Sequence, residues 1–279
     1  MIARSVSVVT AVSRLLGTVA GARQRFFPGV FFQEDIGRFR LRTAEDSIDL
    51  VRALELRHEV FQRETLGRGA PGGLEPQPLD LHADHLLVVD QRTGRLAGTY
   101  RLLSASEAPA LSAEAEYTLD GFLAEPGVKI ELSRACVHSE FRSGQVIHLL
   151  WRGISRYSEI VGARFLFGLA SVFTESPDMA ARMHLSLRRW AGYRHWRIKP
   201  KGAYVVPGLA DRCAALRSAR GELLGVDAAF PSLLRAYLSA GARVCGPPAH
   251  DPEFRCLDFP VVLELGRLSA GFARRYSNP

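Results

Sequence analysis

The sequence predicts an α/β fold, in which strands and helices alternate along the chain and pack as layers. Segments with the period of a strand recur between segments with the period of a helix. The 279 residues are 47% hydrophobic and 23% charged, enough apolar sequence for one large domain or one domain with an appended part. From this composition we expect a chain that buries a core and is not disordered, and neither an internal repeat nor a low-complexity linker is visible.

The first predicted helix carries an arginine on its apolar face. It follows an alternating strand at 38–44, starts at a capping-box-like pair formed by Thr43 and Asp46, and runs to about Gln62. Four side chains fall on one stripe of this helix: Leu50, Leu54, Arg57 and Phe61. An arginine among apolar positions is unusual for a solvated side chain, so Arg57 is a candidate functional residue.

After this helix the chain carries a long loop and then alternating strands and helices. The loop, at 65–84, is rich in Gly and Pro, and long loops in compact domains often carry function. Strands are predicted at 85–90, 95–104, the segment that begins at Glu131, 164–171 and 260–265. Helices are predicted from the turn after the third of these strands to about Val161, over Pro177–Trp190 and over 231–241. We therefore expect residues 36–279 to form a single domain with a C-terminal extension from about 201.

The segment ELSRACVHSEFRSG at 131–144 contains charges in what is otherwise a buried strand. Glu131 and Ser133 share one face of this strand, whereas Arg134 points to the other face unless a β-bulge re-aims it. Because an unpaired buried charge is costly, each of these charges needs a partner. A structural ion pair at the strand edge and a functional site both meet that need, and the other out-of-place charges favour a functional site.

A small turn made of Arg142, Ser143 and Gly144 leads from that strand into an amphipathic helix. The free N–H groups at the start of a helix can bind a phosphate or a polarised carbonyl oxygen. Many strand–turn–helix units share this pattern, so the turn alone does not define a function.

Three other patterns give no catalytic or metal site. The stretch DLHADH at 80–85 offers three potential metal ligands, His82, Asp84 and His85. Because regular ligand spacing and a second cluster are missing, we expect no metal there. We interpret Asp80 and Asp84 as polar anchors of a binding loop. HLLVVD at 85–90 fits an HxxxxD pattern, yet the spacing puts its two ends on opposite faces of a strand. Four scattered cysteines, Cys136, Cys213, Cys245 and Cys256, fit a reducing, cytoplasmic compartment.

Two basic segments indicate an acidic partner for this chain, whose net charge is +7. Residues 1–35 form a basic amphipathic N-terminal segment, for which an interfacial membrane helix and a helix packed on the domain both remain open. Its apolar run is too short to span a bilayer. The second segment, 188–202, lies in an acid-free run from Met179 to Ala210. Because it carries no nucleic-acid recognition motif, we expect it to bind an acidic protein or lipid headgroups, with a plain solvated face as the alternative.

Several motifs, taken in order, resemble the ornithine-lipid type N-acyltransferases, a family often labelled hemolysins. The motifs are RHEVF at 57–61, DHLLVVD at 84–90, GTYRLL at 98–103, ELSRACVHSEFR at 131–142, LLWRGI at 149–154, FLFGLAS at 165–171 and LLRAYLSAGARVCGPPAHDPEF at 233–254. The resemblance runs from about Phe39 to Tyr276. It implies a GNAT-like fold related to the acyl-homoserine lactone synthases, with a central mixed, twisted sheet flanked by helices and a C-terminal extension.

The resemblance also implies a set of site residues. The acceptor site would be lined by Arg57, Phe61, Glu64, Asp80, Asp84, Arg101, Glu131, Ser133 and Arg134. The acyl-phosphopantetheine arm would lie along Ala135 and Val137 and end at Arg142, Ser143 and Gly144. Glu131, Arg134 and Asp84 form the expected catalytic set, with Glu131 as the general base. Arg101 or Arg134 would hold the carboxylate of the amino acid, and Asp80 and Asp84 its cationic end.

The function that this family implies is transfer of a fatty acyl group, β-hydroxylated, from acyl-carrier protein to the amine of ornithine, which gives a lyso-ornithine lipid. A carrier-bound donor is favoured over free CoA because the glycine loop that cradles a pyrophosphate is reduced to the Arg142–Gly144 turn. Neither a cofactor nor nucleic acid is expected. The location expected is the cytoplasm, with peripheral contact to the anionic inner face of the membrane. The alternatives are a lactone synthase, an N-acyltransferase for another amino acid, and a membrane-surface protein without catalysis.

Overall fold

The computed structural model describes residues 26, 28–218, 226 and 230–276. The chain divides into two compact units, one formed by Met1–Ala110 with Ile130–Gly162 and the other by Leu111–Lys129 with Ala163–Pro279. The N-terminal segment predicted at 1–35 falls largely outside the described residues, and the predicted boundaries at 35 and 201 stay predictions.

Strands and helices alternate in the described ranges, as the sequence predicts. The strands are β1 (Gln33–Ile36), β2 (Phe39–Thr43), β3 (Asp84–Asp90), β4 (Leu96–Ser104), β5 (Tyr117–Thr118), β6 (Val128–Val137), β7 (Ala163–Val172), β8 (Lys199–Pro200), β9 (Arg243–Val244), β10 (Ala249–Asp251) and β11 (Cys256–Glu264). The α-helices are α1 (Ser47–Arg57), α2 (Asp120–Leu123), α3 (Gln145–Val161), α4 (Pro177–Leu187), α5 (Leu209–Ser218), α6 (Ser232–Ala240) and α7 (Ala270–Tyr276).

Shorter helices complete the secondary structure. A π-helix at His58–Thr65 continues α1, so the helix predicted to end near Gln62 reaches Thr65, and its last part has the wider π form. Single 3₁₀ turns lie at Pro78–His82, Ser112–Ala115, Ser139–Phe141, Arg188–Trp190, Arg194–Trp196, Gly202–Tyr204 and Leu265–Arg267. No helix among the described residues has both the length and the apolar character needed to cross a bilayer.

The first unit is built on antiparallel strands in the order β1-β2-β3-β4-β6. Helix α1 covers one face of these strands and α3 covers the other. Since neighbouring residues of a strand point to opposite faces, one strand contacts both helices. Leu87 joins the apolar cluster of Leu50 and Leu54 from α1. Its neighbour Leu86 lies against Gly153 of α3, where a Cβ would come within 3.2 Å of the leucine side chain.

Helix α1 starts at a single capping residue. The Asp46 side chain accepts hydrogen bonds from the backbone N–H groups of Ile48 and Asp49. Thr43, which the sequence pairs with Asp46 in a capping box, belongs instead to β2, and its hydroxyl accepts a hydrogen bond from the Phe32 N–H group. That part of the prediction is wrong, because Thr43 is needed in the sheet ladder and lies too early in the chain for the cap.

The second unit has its own strands and its own core. β11 pairs antiparallel with β7, β10 and β9, and β5 pairs with β8 in a separate two-stranded ladder. Trp196 is buried among Phe122, Phe165 and a stacked Tyr193 ring, and its indole N–H donates to Glu125 at 3.2 Å. This aromatic cluster fixes the conformation of the chain between α4 and β8.

Candidate active site

A cluster of six charged side chains lies between α1 and the sheet of the first unit. Its members are Arg57, Glu75, Asp80, Arg101, Glu131 and Arg134. Arg57 ends α1, Glu75 and Asp80 come from the Gly- and Pro-rich loop, Arg101 lies on β4, and the last two lie on β6. Three cations therefore meet three anions, and the exposed fraction of five of them is 8% or less.

Asp80 is the centre of this cluster. One carboxylate oxygen accepts hydrogen bonds from Arg57 Nη1 at 2.6 Å and Arg101 Nη1 at 3.0 Å, and the other accepts the Gln77 N–H group at 2.7 Å. Burial by itself would raise the pKa of Asp80, but the charges of Arg57 and Arg101 outweigh it and lower this pKa to about 2. Asp80 is therefore ionised at neutral pH and is 0% exposed.

Glu75 joins this centre to the last arginine of the cluster. One oxygen accepts a hydrogen bond from Arg57 Nε at 2.5 Å, and the other lies 3.4 Å from Arg134 Nε. Burial by itself would lower the pKa of Arg57, but the charges of Asp80 and Glu75 outweigh it and raise this pKa above the ordinary arginine value. Glu75 was not predicted from the sequence, since an acid in a Gly- and Pro-rich loop gives no periodic signal.

Arg134 reaches the cluster because β6 has a bulge at this position. Arg101 pairs with Ser133 and Thr99 with Cys136, so Tyr100 alone opposes two residues of β6, Arg134 and Ala135. Arg134 has φ +56°, a left-handed conformation that a non-glycine residue adopts at a cost. The bulge re-aims Arg134, so that its guanidinium lies 3.4 Å from Glu75 and 5.8 Å from the Phe61 ring centroid.

Arg101 connects the loop to β6. Its guanidinium donates to the Gln77 side chain at 2.8 Å and to Ser133 Oγ at 3.0 Å. Burial lowers the pKa of Arg101, while Asp80 and Glu131 act in the opposite direction. Glu131 is 2% exposed and lies opposite Leu103 of β4 in the ladder. The sheet thus brings together Glu131, Ser133 and Arg101, as the resemblance implies.

Asp84 lies on the other face of the sheet from this cluster. Its carboxylate accepts the Tyr157 hydroxyl of α3 at 2.9 Å and the Gly29 N–H group at 2.8 Å. Burial raises its pKa, and it lines a small cavity of about 100 Å³. The structure therefore does not join Asp84 to Glu131 and Arg134 in one catalytic set. The reason is that β3 begins at Asp84, so that Asp84 and His85 alternate faces.

The turn before α3 has its predicted form. Gly144 has φ +93°, which favours glycine, and α3 begins at the next residue. Arg142 forms an ion pair with Glu64 of the π-helix, and its Nε donates to the Val137 carbonyl at 3.0 Å. Glu64, expected in the acceptor site, is thus a partner of the turn. Ala135 belongs to the bulge, Val137 ends β6 and Ser143 lies in the turn before α3. Their role in binding the donor stays a prediction.

His82, Asp84 and His85 do not share a binding point. His85 is fully buried on the cluster side, its Nε2 lies 3.0 Å from the Asp80 carbonyl oxygen, and burial lowers its pKa to about 4. Among the described residues of the second unit, Asp251, Cys256 and Asp258 bring three potential metal ligands within 4.8 Å of one another. Burial raises the pKa of the Cys256 thiol well above its usual range, which disfavours a thiolate ligand.

Known proteins resemble this chain in sequence and in fold. Residues 56–152 match the acetyltransferase (GNAT) domain. The L-ornithine N(alpha)-acyltransferase of Rhizobium meliloti strain 1021 is 27% identical over 258 residues, which cover 86% of this chain and 85% of that protein. The enzyme of the same name from Brucella abortus strain 2308 is 28% identical, over 86% of this chain and 89% of that protein. The acyl-homoserine lactone synthase LasI aligns with a TM-score of 0.49 at 15% identity, over 85% of this chain and 94% of that one.

The fold and the matched domain define an acyltransferase of the GNAT-like class. Within that class the chain is similar to the L-ornithine N(alpha)-acyltransferases, as its motifs indicate.

The burial of neutral His85 should make stability depend on pH. Unfolded His85 takes up a proton below its ordinary pKa of 6.5, whereas the folded form does so only near pH 4. We expect this residue alone to lower the free energy of unfolding by about 3 kcal/mol as the pH falls through that window. In His85→Gln, whose amide can still donate to the Asp80 carbonyl, this part of the loss should disappear. Urea unfolding at a series of pH values compares the two slopes, and parallel slopes would contradict a neutral buried imidazole.

Proposed function

We propose that the protein transfers a β-hydroxyacyl group from acyl-carrier protein to the α-amine of ornithine and so forms a lyso-ornithine lipid. The observation that carries this proposal is the position of Glu131. Its side chain is 2% exposed on a core strand, beside Arg101 and the β6 bulge. The names of the curated relatives support ornithine as the acceptor. A pure membrane-surface protein has no need for a strained, charge-balanced cluster inside the fold.

The reaction needs one base and one oxyanion site. The α-ammonium of the acceptor gives a proton to Glu131, directly or through one water, and the resulting amine attacks the thioester carbonyl carbon. The C–N bond forms, and the carbonyl oxygen becomes an oxyanion that the backbone N–H groups of β6 near Ala135 and Val137 stabilise. Collapse of this intermediate breaks the C–S bond. The second nitrogen proton then goes to the pantetheine thiolate, so that an amide and a thiol are the products.

The burial of the cluster assigns different roles to its members. Arg134, whose side chain is 22% exposed, is the arginine of the cluster with the most access, so we assign it the carboxylate of the acceptor. Arg57 and Asp80 are fully buried and bonded to each other, which makes them positioning residues. Asp84 leaves the proposed catalytic set because it faces α3, and Phe61 supports the Arg134 guanidinium with its ring face.

The turn before α3 supports a carrier-bound donor over free CoA. A pyrophosphate needs several N–H donors and a free cation, whereas Arg142 is already paired with Glu64 and bonded to Val137. A phosphopantetheine arm held by a carrier protein places no pyrophosphate at this turn. We propose that the reaction occurs in the cytoplasm next to the inner leaflet, where a product with a long acyl chain can leave without crossing water.

The donor preference can be measured with the purified full-length chain and ornithine. We expect acylation with β-hydroxyacyl-carrier protein to exceed that with the matching acyl-CoA, because the turn offers no free cation to a pyrophosphate. Mass spectrometry of the N-acylated product, with each donor titrated, gives the two kcat/KM values. Equal kcat/KM values would contradict the donor preference inferred from the turn. If the protein acylates neither ornithine nor another amino acid, the proposed function is overturned.

Glu131→Gln should abolish most of the activity while the fold remains. Removal of a general base typically lowers turnover by about 10²- to 10⁴-fold, and glutamine keeps the shape of the side chain. Glu159→Gln, which changes a half-exposed carboxylate of α3, is the matched control and should keep full turnover. Near-normal kcat in a Glu131→Gln protein whose urea unfolding curve is unchanged would remove Glu131 from the mechanism.

A further inference from the structure

The second unit contains an apolar groove that the proposed reaction does not use. Its volume is about 930 Å³, at the upper end of the range of small-molecule sites. The walls are apolar and include Leu187, Ile198, Val206, Leu209 and Val244. Val205 also lines it and is 49% exposed, so that it adds an accessible apolar side chain to the groove.

The rim of this groove carries charge of one sign. Its basic members are Arg188, Arg194, Arg197, Lys199 and Arg217, all exposed, and the lining contains no acidic residue among those the structure describes. None of these five side chains pairs with a carboxylate of another described residue. Burial and the neighbouring arginines, chiefly Arg188, lower the pKa of His184 at the same groove. The rim is therefore a site of positive potential that the described protein does not neutralise.

Two of the rim arginines are held in place by a rigid turn. Arg194 begins the 3₁₀ turn Arg194–Trp196 and Arg197 follows it. Trp196 is 3% exposed and stacks on Tyr193 with ring centroids 4.1 Å apart. Tyr193 and Arg197 both have φ +52°, a left-handed conformation that costs energy for non-glycine residues. A flexible solvated loop needs neither the buried tryptophan nor this strain, so the turn fixes the backbone positions from which Arg194 and Arg197 extend.

We propose that this groove binds an anionic phospholipid of the membrane surface, with an acyl chain along the apolar walls and the phosphate at the arginine rim. Charge and polarity both fit, because guanidinium groups bind phosphate and the walls replace the hydrocarbon that the chain leaves. An acidic protein such as the carrier would use the rim but not the apolar floor, so the lipid accounts for more of the site. The groove would be the place at which the protein contacts the membrane, and lipid binding there does not depend on acyl transfer.

Binding of a water-soluble short-chain lipid tests the groove without a membrane surface. Dihexanoyl phosphatidylglycerol, kept below its micelle concentration, is titrated into the full-length protein by calorimetry, with dihexanoyl phosphatidylcholine as the uncharged comparison. We expect the anionic lipid to bind more tightly. Val205→Asp should weaken its binding strongly, and so should Arg194→Glu with Lys199→Glu, by about 30-fold for the pair, since each basic group near an anionic lipid is worth about fivefold.

Matched controls lie on the first unit. Ile48→Asp changes an apolar side chain that is 51% exposed, and Arg92→Glu reverses an exposed charge in the β3–β4 turn. Neither should change lipid binding.

If Val205→Asp binds the lipid as the wild type does while the rim variant does not, the site is surface charge only and the groove is rejected. If the lipid does not bind and acyl-carrier protein does, with both variants weakened, the groove belongs to the carrier and the proposal is overturned. Acylation of ornithine is assayed separately on every variant, so failure of the groove leaves the proposed function standing.

Discussion

The first unit depends on one buried carboxylate that must remain charged. Asp80 has no access to solvent, and its charge is balanced by Arg57 at 2.6 Å and Arg101 at 3.0 Å. A charge moved out of water at this depth costs several kcal/mol unless its partners are close and well oriented. Because the partners come from a helix and a strand, their pairing ties the loop, α1 and the sheet into one arrangement.

The other contacts of the site follow from the need to balance the charges around Asp80. Arg57 needs a second anion, which Glu75 supplies, and the free side of Glu75 then draws Arg134 into reach. Arg134 can turn toward that face only through the bulge and its left-handed backbone. The strain at Arg134 therefore has a structural cause in the cluster. Its result is a partly buried guanidinium in the same cluster as Glu131, where the proposed reaction places the acceptor carboxylate and the base.

The sequence predicted the elements better than it predicted the site. Arg57 was identified because helical periodicity places it on an apolar stripe, and α3 ends at Val161 as predicted, before a left-handed Gly162. Asp84 was grouped with Glu131 and Arg134 from the family resemblance alone, and it was treated as a loop residue because the predicted strand began at 85. Since β3 already includes Asp84, its side chain points to the other face of the sheet. Glu75 had no local signal, since its partners lie 18 and 59 residues away and only the folded chain brings them together.

A double-mutant cycle between Asp80 and Arg101 tests most directly whether this cluster acts as one unit. The free energies of unfolding of Asp80→Asn, Arg101→Met and the double variant are measured by urea unfolding at neutral pH. Each single change removes one close partner of a buried charge and should cost about 3–5 kcal/mol. The double variant should lose much less than the two losses together, with a coupling of about 2 kcal/mol or more. Additive losses would show that the two residues stabilise the fold independently and would contradict the central role of the Asp80 carboxylate.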